Sequence, residues 1–128
     1  MADPTGARIL LASADPQVVT AAMPVLQAAG YRVLMVDNGP DVLHYVDDQA
    51  VDLYLIDPAL PGMSGLRIAR HLRASYGIAR ERIVVLNPAA APFDYSLEIQ
   101  AQDILITPFT GVELLLCVMR HLAGERGD

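Results

Sequence analysis

Lysine is absent from this chain, and all nine of its basic residues are arginine. The absence excludes every mechanism that needs an amine side chain, including an ammonium that would shield a phosphoryl group. Positive charge is also the minority sign. Nine arginines stand against 15 acidic residues, for a net charge of −6. A nucleic-acid partner is therefore not expected, because phosphate contacts need a basic face. The one cysteine, Cys117, cannot form an internal disulfide, which points to a reducing compartment. No apolar stretch approaches the roughly 20 residues that span a bilayer, and the polar start of the chain lacks the apolar run of a signal peptide. The expected location is the cytoplasm, with no membrane partner. His44, His71 and His121 have no metal-ligand spacing. No nucleophile–base pair stands out and no glycine-rich phosphate loop follows the first strand, so the chain is not expected to be an enzyme.

What is present is a globular composition, 53% hydrophobic and 19% charged over 128 residues, enough for one domain with a real core. Short apolar runs alternate with helical patterns. Strands are predicted at 8–13, 32–36, 51–57, 82–87 and 103–107. Asp15-Pro16 opens the first helix as cap and first-turn residue, with Pro24 expected to kink it before Gly30. Asn38-Gly39-Pro40-Asp41 opens the second, Ser64 the third, and Gly111 the last, which runs to Ala123. The segment 94–101, which follows a proline-rich stretch, is a short helix at best. Nearly continuous apolar strands imply a parallel sheet covered on both faces. The expected fold is α/β and doubly wound, with five parallel strands in the flavodoxin-like order 2-1-3-4-5. Ligands would then sit at the carboxyl ends of strands 1 and 3. The domain is placed at 8–123, between short tails at 1–7 and 124–128, with no output domain expected in these residues.

The stretch from Asp52 to Leu66, DLYLIDPALPGMSGL, ends a strand in an aspartate and continues into a Leu-Pro-Gly-Met-x-Gly-Leu loop and a helix. It resembles the centre of response-regulator receiver domains. Thr107-Pro108-Phe109 resembles the Lys-Pro-Phe that closes strand 5 in that family. The resemblance covers nearly the whole chain and implies a bacterial two-component signalling module with a receiver fold. It also implies phosphoryl transfer to the strand-3 aspartate, which here is Asp57. That chemistry needs carboxylates to hold a divalent cation, a lysine to cover residual charge, and a hydroxyl to hydrogen-bond a phosphoryl oxygen.

Position by position, only Asp57 matches. The acidic pair falls on Ser13 and Ala14, the hydroxyl on Asn87, the lysine on Thr107 and the aromatic switch on Ile104. Mg2+ is expected to bind weakly at most, with no other cofactor. The expected function is an atypical receiver (a pseudo-receiver) that serves as a protein-interaction module without standard aspartate phosphorylation. One alternative is a working phospho-acceptor with a relaxed metal site. A second is a binder of a small anionic ligand or acidic partner through Arg67, Arg70 and His71 on the third helix, since arginine forks suit phosphate. In the last helix, Val112, Leu115, Leu116, Met119 and Leu122 are expected to face the core. Leu114, Cys117 and Val118 would then form an extra apolar strip. The resemblance implies a signalling partner, or a second copy, on the face made by the short helix, strand 5 and the last helix.

Overall fold

The computed structural model describes residues 6–48, 50–88 and 103–125. Five parallel strands form one sheet: β1 (Arg8–Ala12), β2 (Arg32–Val36), β3 (Leu53–Ile56), β4 (Ile83–Pro88) and β5 (Asp103–Thr107). Their order is β2-β1-β3-β4-β5, as expected. The described helices are α1 (Pro16–Ala28), α2 (Gly39–Asp48), α3 (Gly65–Ala74) and α4 (Gly111–Glu125), with a single 3-10 turn at Arg80–Arg82. The short helix expected at 94–101 lies outside the described residues. No described helix is long and apolar enough to cross a membrane.

The period of two along each strand sorts the apolar side chains into two cores. Ile9, Leu11, Leu55 and Val84 face one side, where they meet Leu26 of α1 and Leu114 and Val118 of α4. Leu10, Tyr54, Ile56 and Val85 face the other, where they meet Val42 of α2 and Ile68 and Leu72 of α3. Burial of each large aliphatic side chain contributes roughly 1.5–3 kcal/mol before the entropy cost of ordering it.

Local chemistry sets where the helices begin. Asp15 Oδ1 accepts the Gln17 N–H at 2.9 Å, and Pro16 takes the first helical position, where its missing donor costs nothing. The helix continues through Pro24 to Ala28. Asn38 Oδ1 accepts the Asp41 N–H at 3.0 Å, and Ser64 Oγ accepts the Arg67 N–H at 3.2 Å. At α4 the cap is reciprocal. Thr110 Oγ1 accepts the Glu113 N–H at 3.1 Å, and Glu113 Oε1 accepts the Thr110 N–H at 2.8 Å. Each described helix follows a strand of the parallel sheet and so starts at its carboxyl edge. Arg8 and Arg32 open strands at the opposite edge. Arg82 anchors that edge, donating to the carbonyls of Asp52 (3.2 Å) and Val51.

The orientation of α4 corrects the sequence reading. Leu114, Cys117 and Val118 are buried, whereas Val112, Leu116 and Met119 are 67%, 60% and 50% exposed. Both sets recur at helical spacing, so hydrophobicity alone does not choose the rotation. His121 belongs to the inward stripe and is buried, with Nδ1 2.8 Å from the Glu81 carbonyl oxygen. A polar residue at an inward position hides that stripe from a hydrophobicity count.

Candidate functional site

The register Ala12↔Ile56 sets the ends of β1 and β3 side by side, so the next residues, Ser13 and Asp57, become neighbours. The Asp57 N–H donates to the Ala12 carbonyl at 2.8 Å, which carries the β1–β3 pairing one step further. Ser13 is buried, at 1% exposure, while the Asp57 carboxylate is partly exposed. Both carboxylate oxygens have donors. Ser13 Oγ donates to Oδ2 at 3.0 Å, and the Ala59 N–H donates to Oδ1 at 2.9 Å. Ser13 Oγ also accepts the Asp15 N–H at 3.1 Å. The serine hydroxyl thus sits between a carboxylate and a helix cap, using its one proton and one of its lone pairs.

The other positions singled out in the sequence surround this pair unequally. Ala14 is exposed beside it. Asp15 points its carboxylate at the α1 terminus. Asn87 is buried near the end of β4, and its Nδ2 donates to the Pro88 carbonyl at 3.3 Å. Thr107 is partly buried at the end of β5, followed by a cis peptide to Pro108. Ile104 lies three residues back along the same strand, packed against the α2–α3 core. A cleft of about 130 Å3 separates Thr107, Pro108 and Phe109 from Asp15 and Gln17. Among the described residues no group of three or more His, Cys, Asp or Glu side chains could hold a metal ion.

Arg67 and Arg70 are exposed on α3, with His71 partly buried, opposite the buried Ile68, Ala69 and Leu72. Among the described residues the Asp57 carboxylate accepts from Ser13 and Ala59, and from neither arginine. The exposed apolar strip of α4 borders a shallow groove of about 330 Å3 against β5, lined in part by Ile104, Ile106 and Leu116 between Glu113 and Arg120.

Sequence reasoning missed the glycines that seat the loop after Asp57. A Cβ on Gly65 would lie 2.3 Å from the Asp57 carbonyl oxygen, and one on Gly39 would lie 2.1 Å from the Met63 carbonyl oxygen. Only a residue without a side chain permits either approach. The signal was there in the Asn38-Gly39 pair and the Gly-Met-Ser-Gly run, but nothing in the sequence shows that the two segments touch.

A five-stranded doubly wound sheet with an aspartate closing its third strand defines a class, and the comparisons agree with it. The chain belongs to the response regulator receiver domain family, which matches residues 9–118. It is 33% identical over 117 residues to the DNA-binding response regulator MtrA of Mycolicibacterium smegmatis, covering 90% of this chain and 50% of that protein. It is 32% identical over 110 residues to the transcriptional regulatory protein BaeR of Escherichia coli, covering 84% of this chain and 45% of that protein. The chain therefore spans about half the length of these curated relatives. Among solved structures it resembles the receiver domain of a signal transduction histidine kinase from Syntrophus aciditrophicus, with a TM-score of 0.84, 26% identity, and coverage of 96% and 95% of the two chains. It also resembles the receiver domain of the sensor histidine kinase PA1611 of Pseudomonas aeruginosa, which has magnesium in its active site cleft. That likeness has a TM-score of 0.82 and 30% identity, covering 93% of this chain and 99% of that one.

One exclusion drawn from composition is corrected by these relatives. MtrA is described as DNA-binding, so an acidic receiver domain is compatible with a protein that binds nucleic acid. Net charge over one domain does not speak for a whole protein.

Proposed function

We propose that this receiver domain works as a protein-interaction module in two-component signalling, without standard phosphorylation of Asp57. The observation that carries the reading is the 3.0 Å hydrogen bond from Ser13 Oγ to Asp57 Oδ2, made where the family resemblance places a metal-binding carboxylate. A serine hydroxyl brings no negative charge to a cation, and its proton is directed at the carboxylate. Among the described residues Asp57 is then the one carboxylate at the centre of the site, and both of its oxygens already accept hydrogen bonds. A hard divalent ion prefers about six well-placed oxygens, and this donor set is a poor fit to that demand. With no lysine in the chain, no ammonium can replace the missing neutralisation. The exposed apolar strip of Val112, Leu116 and Met119 supports a role in binding another protein surface. One output such a module can serve is DNA binding in a longer protein, as the description of the MtrA relative indicates for that protein.

The test is incubation with a small phosphodonor and Mg2+, followed by intact-protein mass spectrometry. Most molecules should keep their mass, and a calorimetric titration should show Mg2+ binding only in the millimolar range or weaker, roughly the regime of a site with few carboxylates. Stoichiometric phosphorylation that disappears in Asp57→Asn would overturn the reading in favour of a working phospho-acceptor. Ser13→Asp combined with Ala14→Asp should strengthen Mg2+ binding in the same titration.

A further inference from the structure

We propose that the state of the Asp57 carboxylate is read by the N-terminal turns of α1 and α2, on the β1–β2 half of the sheet, rather than through β4 and β5. Two short chains of contact leave the carboxylate. The first runs from Oδ2 to Ser13 Oγ (3.0 Å), on to the Asp15 N–H (3.1 Å), and from Asp15 Oδ1 to the Gln17 N–H (2.9 Å) in the first turn of α1. Ser13 is 1% exposed, so water does not readily replace a bond it loses. Its hydroxyl has one proton. If the group facing it becomes a donor, the hydroxyl must turn, and its contact with Asp15 changes with it.

The second chain runs from Oδ1 to the Ala59 N–H (2.9 Å) and along a loop stiffened by Pro58 and Pro61. The Pro61 carbonyl then accepts the N–H of Gly39, the first residue of α2, at 3.0 Å. The loop and the helix meet without slack. Gly39 leaves no room for a Cβ beside Met63, and Gly62, at φ +83°, would bring one to 3.0 Å from Pro40. Close-packed parts shift together, so a displaced loop carries the helix start with it.

Among the described residues no hydrogen bond of the carboxylate leads toward β4 and β5, since its bonds end on Ser13 and Ala59. Asn87 directs its amide at the Pro88 carbonyl, and Ile104 packs into the α2–α3 core. The inference stands apart from the interaction-module reading. It concerns which half of the domain responds when the carboxylate changes, whatever changes it.

Amide hydrogen exchange followed by NMR tests it on the wild type, Asp57→Asn and Ser13→Ala. The first variant keeps the side-chain shape, removes the charge, and turns a donor toward Ser13. Exchange at residues 15–19 and 39–46 should rise by about two- to tenfold, the range that one weakened hydrogen bond produces in a local opening equilibrium, while 104–107 stays unchanged. Ser13→Ala should raise exchange at 15–19 alone. A largest response at 104–107, or none at 39–46, overturns the proposal. Should Asp57→Asn fail to fold, Ser13→Ala still decides the α1 arm, because unchanged exchange at 15–19 would remove it.

Discussion

Ser13 and Asp57 show what a sequence motif carries and what it leaves out. Asp57 was legible because a distinctive loop follows it at fixed spacing, and Ser13 because it ends the first apolar run. Their hydrogen bond was not legible, because it depends on the register that pairs Ala12 with Ile56 across 44 residues of sequence. Tyr54, three residues before Asp57, carries a prediction at this scale. Burial pushes its hydroxyl above the ordinary value of 10.0, with the Arg82 guanidinium opposing that shift. The folded protein then holds the phenol proton more tightly than the unfolded chain. Its contribution to stability is complete below pH 10 and is lost as pH rises toward the raised value. Melting temperatures measured from about pH 9 to about pH 11 should fall less steeply in Tyr54→Phe than in the wild type, because the substitution removes that ionisation.

At the scale of elements, strands and helix starts were readable, whereas one helix rotation was not. Caps such as Asp15-Pro16 and Ser64 act within a few residues of sequence, so local pattern finds them. The face that α4 turns inward depends on the sheet, on α1 and on the Glu81 carbonyl, which are distant in sequence. Two substitution pairs separate the faces. Leu114→Glu and Val118→Glu each bury a charge in the core and should cost about 3 kcal/mol or more, enough to abolish the thermal transition of a marginal domain. Leu116→Glu and Met119→Glu lie on the exposed face and should change stability by within about 0.5 kcal/mol. Circular dichroism melts on all four variants provide the measurement. The Thr110–Glu113 box, a Thr-x-x-Glu pattern present in the sequence but unread there, supports its own prediction. Thr110→Ala should lower stability by about 1 kcal/mol in denaturant titration, with an unchanged slope.

For the molecule as a whole, strand order followed from the alternation of buried strands and helices, because right-handed crossovers leave few ways to cover both faces of a parallel sheet. The same topology has an electrical consequence. Each described helix starts at the carboxyl edge, and Asp15, Asp41 and Glu113 stand at those starts, with Asp37 and Asp57 nearby. The helix N-termini offset these carboxylates by roughly half a positive charge each. At the other edge Arg8, Arg32, Arg80 and Arg82 stand with Asp52 and Glu81, α2 ends at Asp48 and α4 at Glu125, and each helix C-terminus adds roughly half a negative charge. Both signs therefore meet at both edges, and a charged body within a screening length of roughly 8–10 Å finds neither edge to be of one sign.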